Sequence, residues 1–112
     1  MQWNIRFFFL VSVLFLSVKS TYAQNKVIEP ANRLLALKKY SEAEVLLAKA
    51  YNQNQTKLVK ELLADTYAFQ AKWDQALLLY KELQQDFPKN AEYHFKYGGA
   101  LGRKALDTYW RN

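Results

Sequence analysis

The sequence predicts an all-α protein built as a short helix-turn-helix solenoid, and three observations carry that expectation. From Pro30 onward no stretch alternates apolar and polar residues in the manner of a strand, and the aliphatic β-branched residues there are Val45 and Val59 alone. Apolar residues recur instead at spacings of three, four and seven, the stripe of an amphipathic helix. The helical faces also come in pairs, and the pairs repeat with a period of about 34 residues. A chain of 112 residues, 51% hydrophobic with three Gly and two Pro, is long enough for one such unit with a core.

The segment 1–23 stands apart. Arg6 precedes an apolar run from Phe7 to Leu16 broken only by Ser12, and a short, more polar stretch then ends at Ala23. That order of basic start, apolar centre and small residue at the end is the layout of a secretory signal peptide, with cleavage expected between Ala23 and Gln24. The apolar centre is too short for the roughly 20 residues of a membrane-spanning helix. The expected mature chain is 24–112, periplasmic or secreted, with no stable membrane span after leader removal. Loss of Arg6 and Lys19 lowers the net charge from +6 to +4.

Within 24–112 five helices are expected. Pro30 suits the first position of a short helix through Lys38, because its missing N–H would be unpaired there in any case. Ser41 and Glu44 have the spacing of a capping box at the head of a helix reaching about Asn52. The polar run Asn52 to Thr56 is a turn. Val59, Leu62, Leu63, Thr66 and Tyr67 mark the face of a third helix. Ala76, Leu79, Tyr80, Leu83 and Phe87 mark a fourth, with Asp74 as its expected N-cap and Pro88 as its stop. Asn90 can cap a fifth helix, whose face is Tyr93, Tyr97, Ala100, Leu101 and Ala105.

Counting Lys57 as position one places Leu63 and Ala64 at seven and eight, Tyr67 at eleven, Ala76 at twenty, Tyr80 at twenty-four and Pro88 at thirty-two. This pattern resembles the tetratricopeptide repeat (TPR), of an exported bacterial type, with Lys60 departing at the first aromatic position. Tyr40, Ala43, Leu47 and Ala50 precede Trp73, Ala76, Tyr80 and Leu83 at one constant offset. His94, Tyr97, Gly98 and Leu101 follow Lys60, Leu63, Ala64 and Tyr67 at another, longer by a single position. The units are 24–56, 57–90 and 91–112, the last with a first helix only. In this register Ala64 and Ala76 form a seam of close helix approach, with Tyr67, Trp73 and Tyr80 packed around it.

The composition excludes several chemistries. Without cysteine there is no disulfide framework, thiolate metal site or cysteine nucleophile, and one histidine cannot build the usual zinc sites. No catalytic residue, cofactor or metal is expected. His94 takes the aromatic slot of the third unit, where packing is its expected role. Gly98, Gly99 and Gly102 lack the lysine and the preceding strand of a phosphate loop. Three glycines in one helix cost about 1 kcal/mol each relative to Ala, so a close approach is the expected compensation. The lysines are scattered among acids rather than gathered in the basic stripe that nucleic acid requires.

The expected function follows from the resemblance. A TPR-type array implies a non-catalytic interaction module whose concave groove takes a protein or peptide. The positions that line it would be Leu58, Glu61, Asp65, Ala68 and Phe69, then Glu92, Phe95, Gly99, Gly102 and Arg103. Repeats that clamp a peptide carboxylate carry Lys and Asn where Glu61 and Asp65 stand, so an apolar or mildly basic segment suits this groove better. The alternatives are a structural or accessory helical domain of a cell-envelope assembly, or part of a longer repeat protein. Tyr93, Phe95, Tyr97, Leu101, Leu106, Tyr109 and Trp110 overfill one helix face, which makes the C-terminal helix a candidate surface for self-association.

Overall fold

The computed structural model describes residues 26–112, all helix, turn or connecting chain. The leader expected at 1–23 lies outside the described residues. Helix α1 covers 26–36, α2 Tyr40–Gln53, α3 Lys57–Phe69, α4 Trp73–Asp86 and α5 Ala91–Arg111. From α3 onward each helix packs on the one before it. Among the described residues no helix is long and apolar enough to cross a membrane.

The core is a line of small and medium side chains at helical spacing. Ala31, Ala43, Leu47, Ala64 and Ala76 are fully buried, and Leu63, Leu83 and Tyr93 nearly so. Ala64 on α3 and Ala76 on α4 have no exposed surface and belong to one core cluster at the packed α3–α4 pair. Tyr80 is buried with them, while Tyr67 and Trp73 are half-buried at the edge of the seam. Lys60, which stands where an aromatic was expected, bridges to Glu82 of α4 at 3.0 Å and keeps its Nζ 6.0 Å from the Tyr51 ring centroid. Its aliphatic stem fills the slot and its charge is paired at the rim.

The turns within the first two pairs are the same device used twice. Lys38 and Ala71 have φ of 59° and 58°, the left-handed region. In the first turn Lys38 N–H donates to the Leu35 carbonyl at 3.0 Å and Lys39 N–H to Leu34 at 2.8 Å. In the second, Ala71 donates to Ala68 at 3.0 Å and Lys72 to Tyr67 at 2.9 Å. These paired bonds are a Schellman motif, which satisfies the last carbonyls of the preceding helix. Lys39 and Lys72 then start α2 and α4 directly, with no side-chain cap. One offset relates Lys38 to Ala71, Lys39 to Lys72 and the C-cap Asn54 to the C-cap Phe87, so backbone geometry carries the same period as the sequence.

Several local expectations are corrected here. Residue 26 is already helical, so Pro30 lies inside α1 rather than at its first position, and α1 ends at 36. No capping box forms, because α2 begins at Tyr40 and puts Ser41 inside the first turn. Glu44 instead receives Gln70 Nε2 at 3.0 Å and Lys72 Nζ at 2.8 Å, fastening α2 to the next turn. Asp74 is the second residue of α4 and pairs with Lys104 at 2.5 Å. Thr56 caps α3 by accepting from Val59 N–H, and Asn90 caps α5 as expected, accepting from Glu92 N–H at 3.0 Å.

The largest departure is in α5. His94 is exposed rather than packed, with Nε2 2.6 Å from the Pro88 carbonyl oxygen. Tyr93 and Ala100 are buried against the preceding helices, but Leu101 is 44% exposed and Ala105 is exposed. The close approach expected at the glycines is absent among the described residues. A Cβ at Gly98, Gly99 or Gly102 would meet nothing within 4 Å. Register explains this: among the described residues no helix follows α5 to occupy the place that α4 takes over α3.

Candidate functional site

The residues expected to line a groove fall along one stripe of α3 and one of α5. Leu58, Glu61, Asp65 and Phe69 follow one another at three, four and four residues, so they share a face of α3. Glu92, Lys96, Gly99 and Arg103 run along α5 at four, three and four. Lys96 joins the two stripes. Its Nζ lies 2.9 Å from Asp65, 3.4 Å from Glu61 and 3.3 Å from Glu92 one turn earlier on its own helix.

Two tyrosines close the arrangement from beneath. Tyr80 OH donates to Asp65 at 2.6 Å, and Tyr93 OH donates to Glu61 at 2.9 Å. Both tyrosines are buried. Burial first, and then the hydrogen bond to a carboxylate, pushes Tyr93 up to about 12 and Tyr80 further in the same direction. For Lys96, burial alone would lower the pKa. The hydrogen bond and charge of Asp65, aided by Glu61, outweigh it and hold the ammonium above its ordinary value. Three carboxylates thus share one ammonium, which leaves an excess of two negative charges in a partly buried cluster.

Apolar side chains flank this acidic centre. Leu58 is 46% exposed and Phe69 58%, the latter stacked on Tyr40 of α2 with ring centroids 5.3 Å apart. Gly99 and Arg103 lie exposed on the same side of α5 as Glu92. Phe95 and Gly102 are also exposed but stand about 100° and 120° around the helix from Lys96, turned away from α3. Ala68 is half-buried beside the stripe. The structure therefore brings Glu61 and Asp65 together with Glu92, and spreads the remaining groove residues from Leu58 to the outer side of α5.

Lys96 and the two tyrosines are what sequence reasoning missed as parts of the site. Their signal was present as spacing: Glu92 and Lys96 form an i,i+4 pair, and Tyr80 and Tyr93 were counted as core residues without their hydroxyls being assigned partners. Other hollows have different chemistry. One of about 300 Å³ is lined by Tyr51, Leu63, Tyr67 and Leu78 among other residues, and one of about 530 Å³ lies beside Lys57, Phe87 and Pro88. Lys57 Nζ sits 4.4 Å from the Phe87 ring centroid at the second, an exposed cation over an aromatic face. Among the described residues no group of three or more His, Asp or Glu is placed to hold a metal ion. Comparison with protein-family models, with curated proteins and with solved structures gave no match.

Proposed function

We propose that the chain is an exported TPR-type module that binds another protein through the α3–α5 groove and performs no chemistry itself. The recurrence of left-handed turns, caps and buried alanines at one offset supports the repeat reading. The leader-like segment 1–23 supports export to the periplasm or beyond. One observation carries the binding reading: the Glu61, Asp65 and Glu92 carboxylates surround the single Lys96 ammonium between the exposed Leu58 and Phe69. A cleft that is acidic in its centre and apolar at its edge is complementary to a segment that alternates apolar and basic residues. The carboxylates are held by phenol and ammonium donors before any ligand arrives, which limits the ordering cost of binding.

A fluorescent peptide of alternating Leu and Lys, and its Leu and Glu counterpart, provide the test. The Leu and Lys peptide should bind the chain, weaken as salt rises, and lose at least about tenfold in affinity with the double change Phe69→Ala and Glu92→Gln. Equal binding of the two peptides, or no response to the double change, would overturn the reading. Glu92 is chosen because its side chain is 61% exposed and its loss leaves Asp65 and Glu61 on Lys96.

A further inference from the structure

The outer face of α5 differs in kind from the groove, and its composition identifies what covers it. At about 100° per residue, Phe95, Gly98, Gly102, Ala105, Leu106 and Tyr109 fall within a sector about 100° wide. The helix's six Asp, Glu, Lys and Arg residues occupy the opposite side. Lys96 is engaged with α3, Lys104 with Asp74 of α4, and Asp107 with the Trp73 indole N–H at 2.6 Å. Glu92 holds Lys96, Arg111 lies beside Trp73, and Arg103 borders the groove. The charges of α5 thus stand on the side of its own molecule, and the sector turned to solvent carries none.

The exposed side chains are large. Phe95 is 79% exposed and Tyr109 74%, with Leu106 about half exposed between them, and Leu101 and the 79% exposed Trp110 stand at the two edges. At 150 to 250 Å² for a whole aromatic side chain, the face with its edges offers on the order of 600 Å². That meets the lower end of a specific interface, about 600 to 1,000 Å² a side. The glycines add a second constraint. Among the described residues nothing lies within 4 Å of a Cβ placed on any of them, so no described neighbour accounts for three glycines in a helix interior.

We propose that two copies of the chain associate through this face, with their α5 helices antiparallel about a two-fold axis beside Gly102. The face is complementary to itself in that arrangement. Small residues, Gly98, Gly102 and Ala105, form its middle, Phe95 stands at one end, and Leu106 and Tyr109 stand at the other. With the axis at Gly102, Leu106 of one copy meets Gly98 of the other, and Phe95 of each meets Tyr109 of the other. Large groups then fill the hollows that the glycines leave, as an isologous contact requires. The neutral sector faces a neutral sector, and the grooves of both copies remain open, so this association and the groove reading stand or fall separately.

Sedimentation equilibrium of the full chain between about 1 and 500 µM reads the association. The expected result is a monomer–dimer equilibrium that Gly102→Leu weakens at least about tenfold while helical content is kept and the single-copy unfolding midpoint does not fall, since a side chain at Gly102 meets no described neighbour within one copy and Leu favours the helix over Gly. Val45→Ser removes an equally exposed apolar group from α2 and should leave the equilibrium unchanged. A chain that stays monomeric throughout, a Gly102→Leu variant that associates as before, or a Val45→Ser variant that weakens association as much would overturn the proposal.

Discussion

Lys96 and Tyr93 show how single residues set both the groove and its response to pH. The Tyr93 hydroxyl keeps its proton up to about 12, against an ordinary value near 10, because it is buried and then because it donates to Glu61. A group whose folded pKa is raised contributes stability that is complete below its unfolded pKa and is lost as pH rises through the folded value. Tyr80 and Lys96 are shifted the same way, so their contributions add in sign. The urea midpoint of unfolding should accordingly stay level from pH 7 to about 9 and fall between about pH 10 and 12. Tyr93→Phe removes one of these groups and should fall less steeply there, while starting lower at pH 7 by about 1 to 2 kcal/mol for the lost bond to a carboxylate. A wild-type midpoint that is flat through pH 12 would show that the phenol is not held as the 2.9 Å contact to Glu61 requires.

At the scale of elements, the tight turns inside the helix pairs rest on backbone strain at two non-glycine residues. Ala71 holds φ at 58° so that Lys72 can reach back to Tyr67 and α4 can begin at once. A side chain in that region costs roughly 1 kcal/mol or more, and glycine avoids that cost. Ala71→Gly should therefore raise stability by up to about 1 kcal/mol in chemical denaturation, whereas Ala71→Val should lower it. A lower stability for the glycine variant would contradict the left-handed turn. This turn also shows what the sequence disclosed and what it hid. Helix order and the burial of Ala64 and Ala76 were legible because burial imposes spacing on apolar residues. The starts of α2 and α4 were not, because Ser41 and Asp74 are the usual capping residue types while the backbone turns at Lys38 and Ala71 made capping unnecessary. The site divides in the same way: Glu61 and Asp65 followed from their stripe on α3, but the lysine that joins them comes from α5, and only the packing of α5 on α4 brings it there.

Across the whole molecule, position along the row of helices decides what the same kind of residue does. In the proposed repeat register Ala64 and Gly98 occupy equivalent places, position eight, in successive units. Ala64 is fully buried, with α4 closed over α3, whereas a Cβ at Gly98 meets nothing within 4 Å. A helix held between neighbours in a stacked array is supported on both sides and an uncovered one on a single side, so equivalent substitutions should separate by location. Ala64→Leu forces extra volume into a closed seam and should destabilise by about 1 to 3 kcal/mol. Gly98→Ala, measured by thermal unfolding at low micromolar concentration where single copies dominate, should stabilise by up to about 1 kcal/mol through helix propensity alone. Raising the protein concentration should shrink that gain, because the added methyl then meets the second copy's Leu106. Opposite signs for the two substitutions, with only the second depending on concentration, are the expected result. Two losses of similar size at every concentration would mean that the outer face of α5 is covered within a single chain.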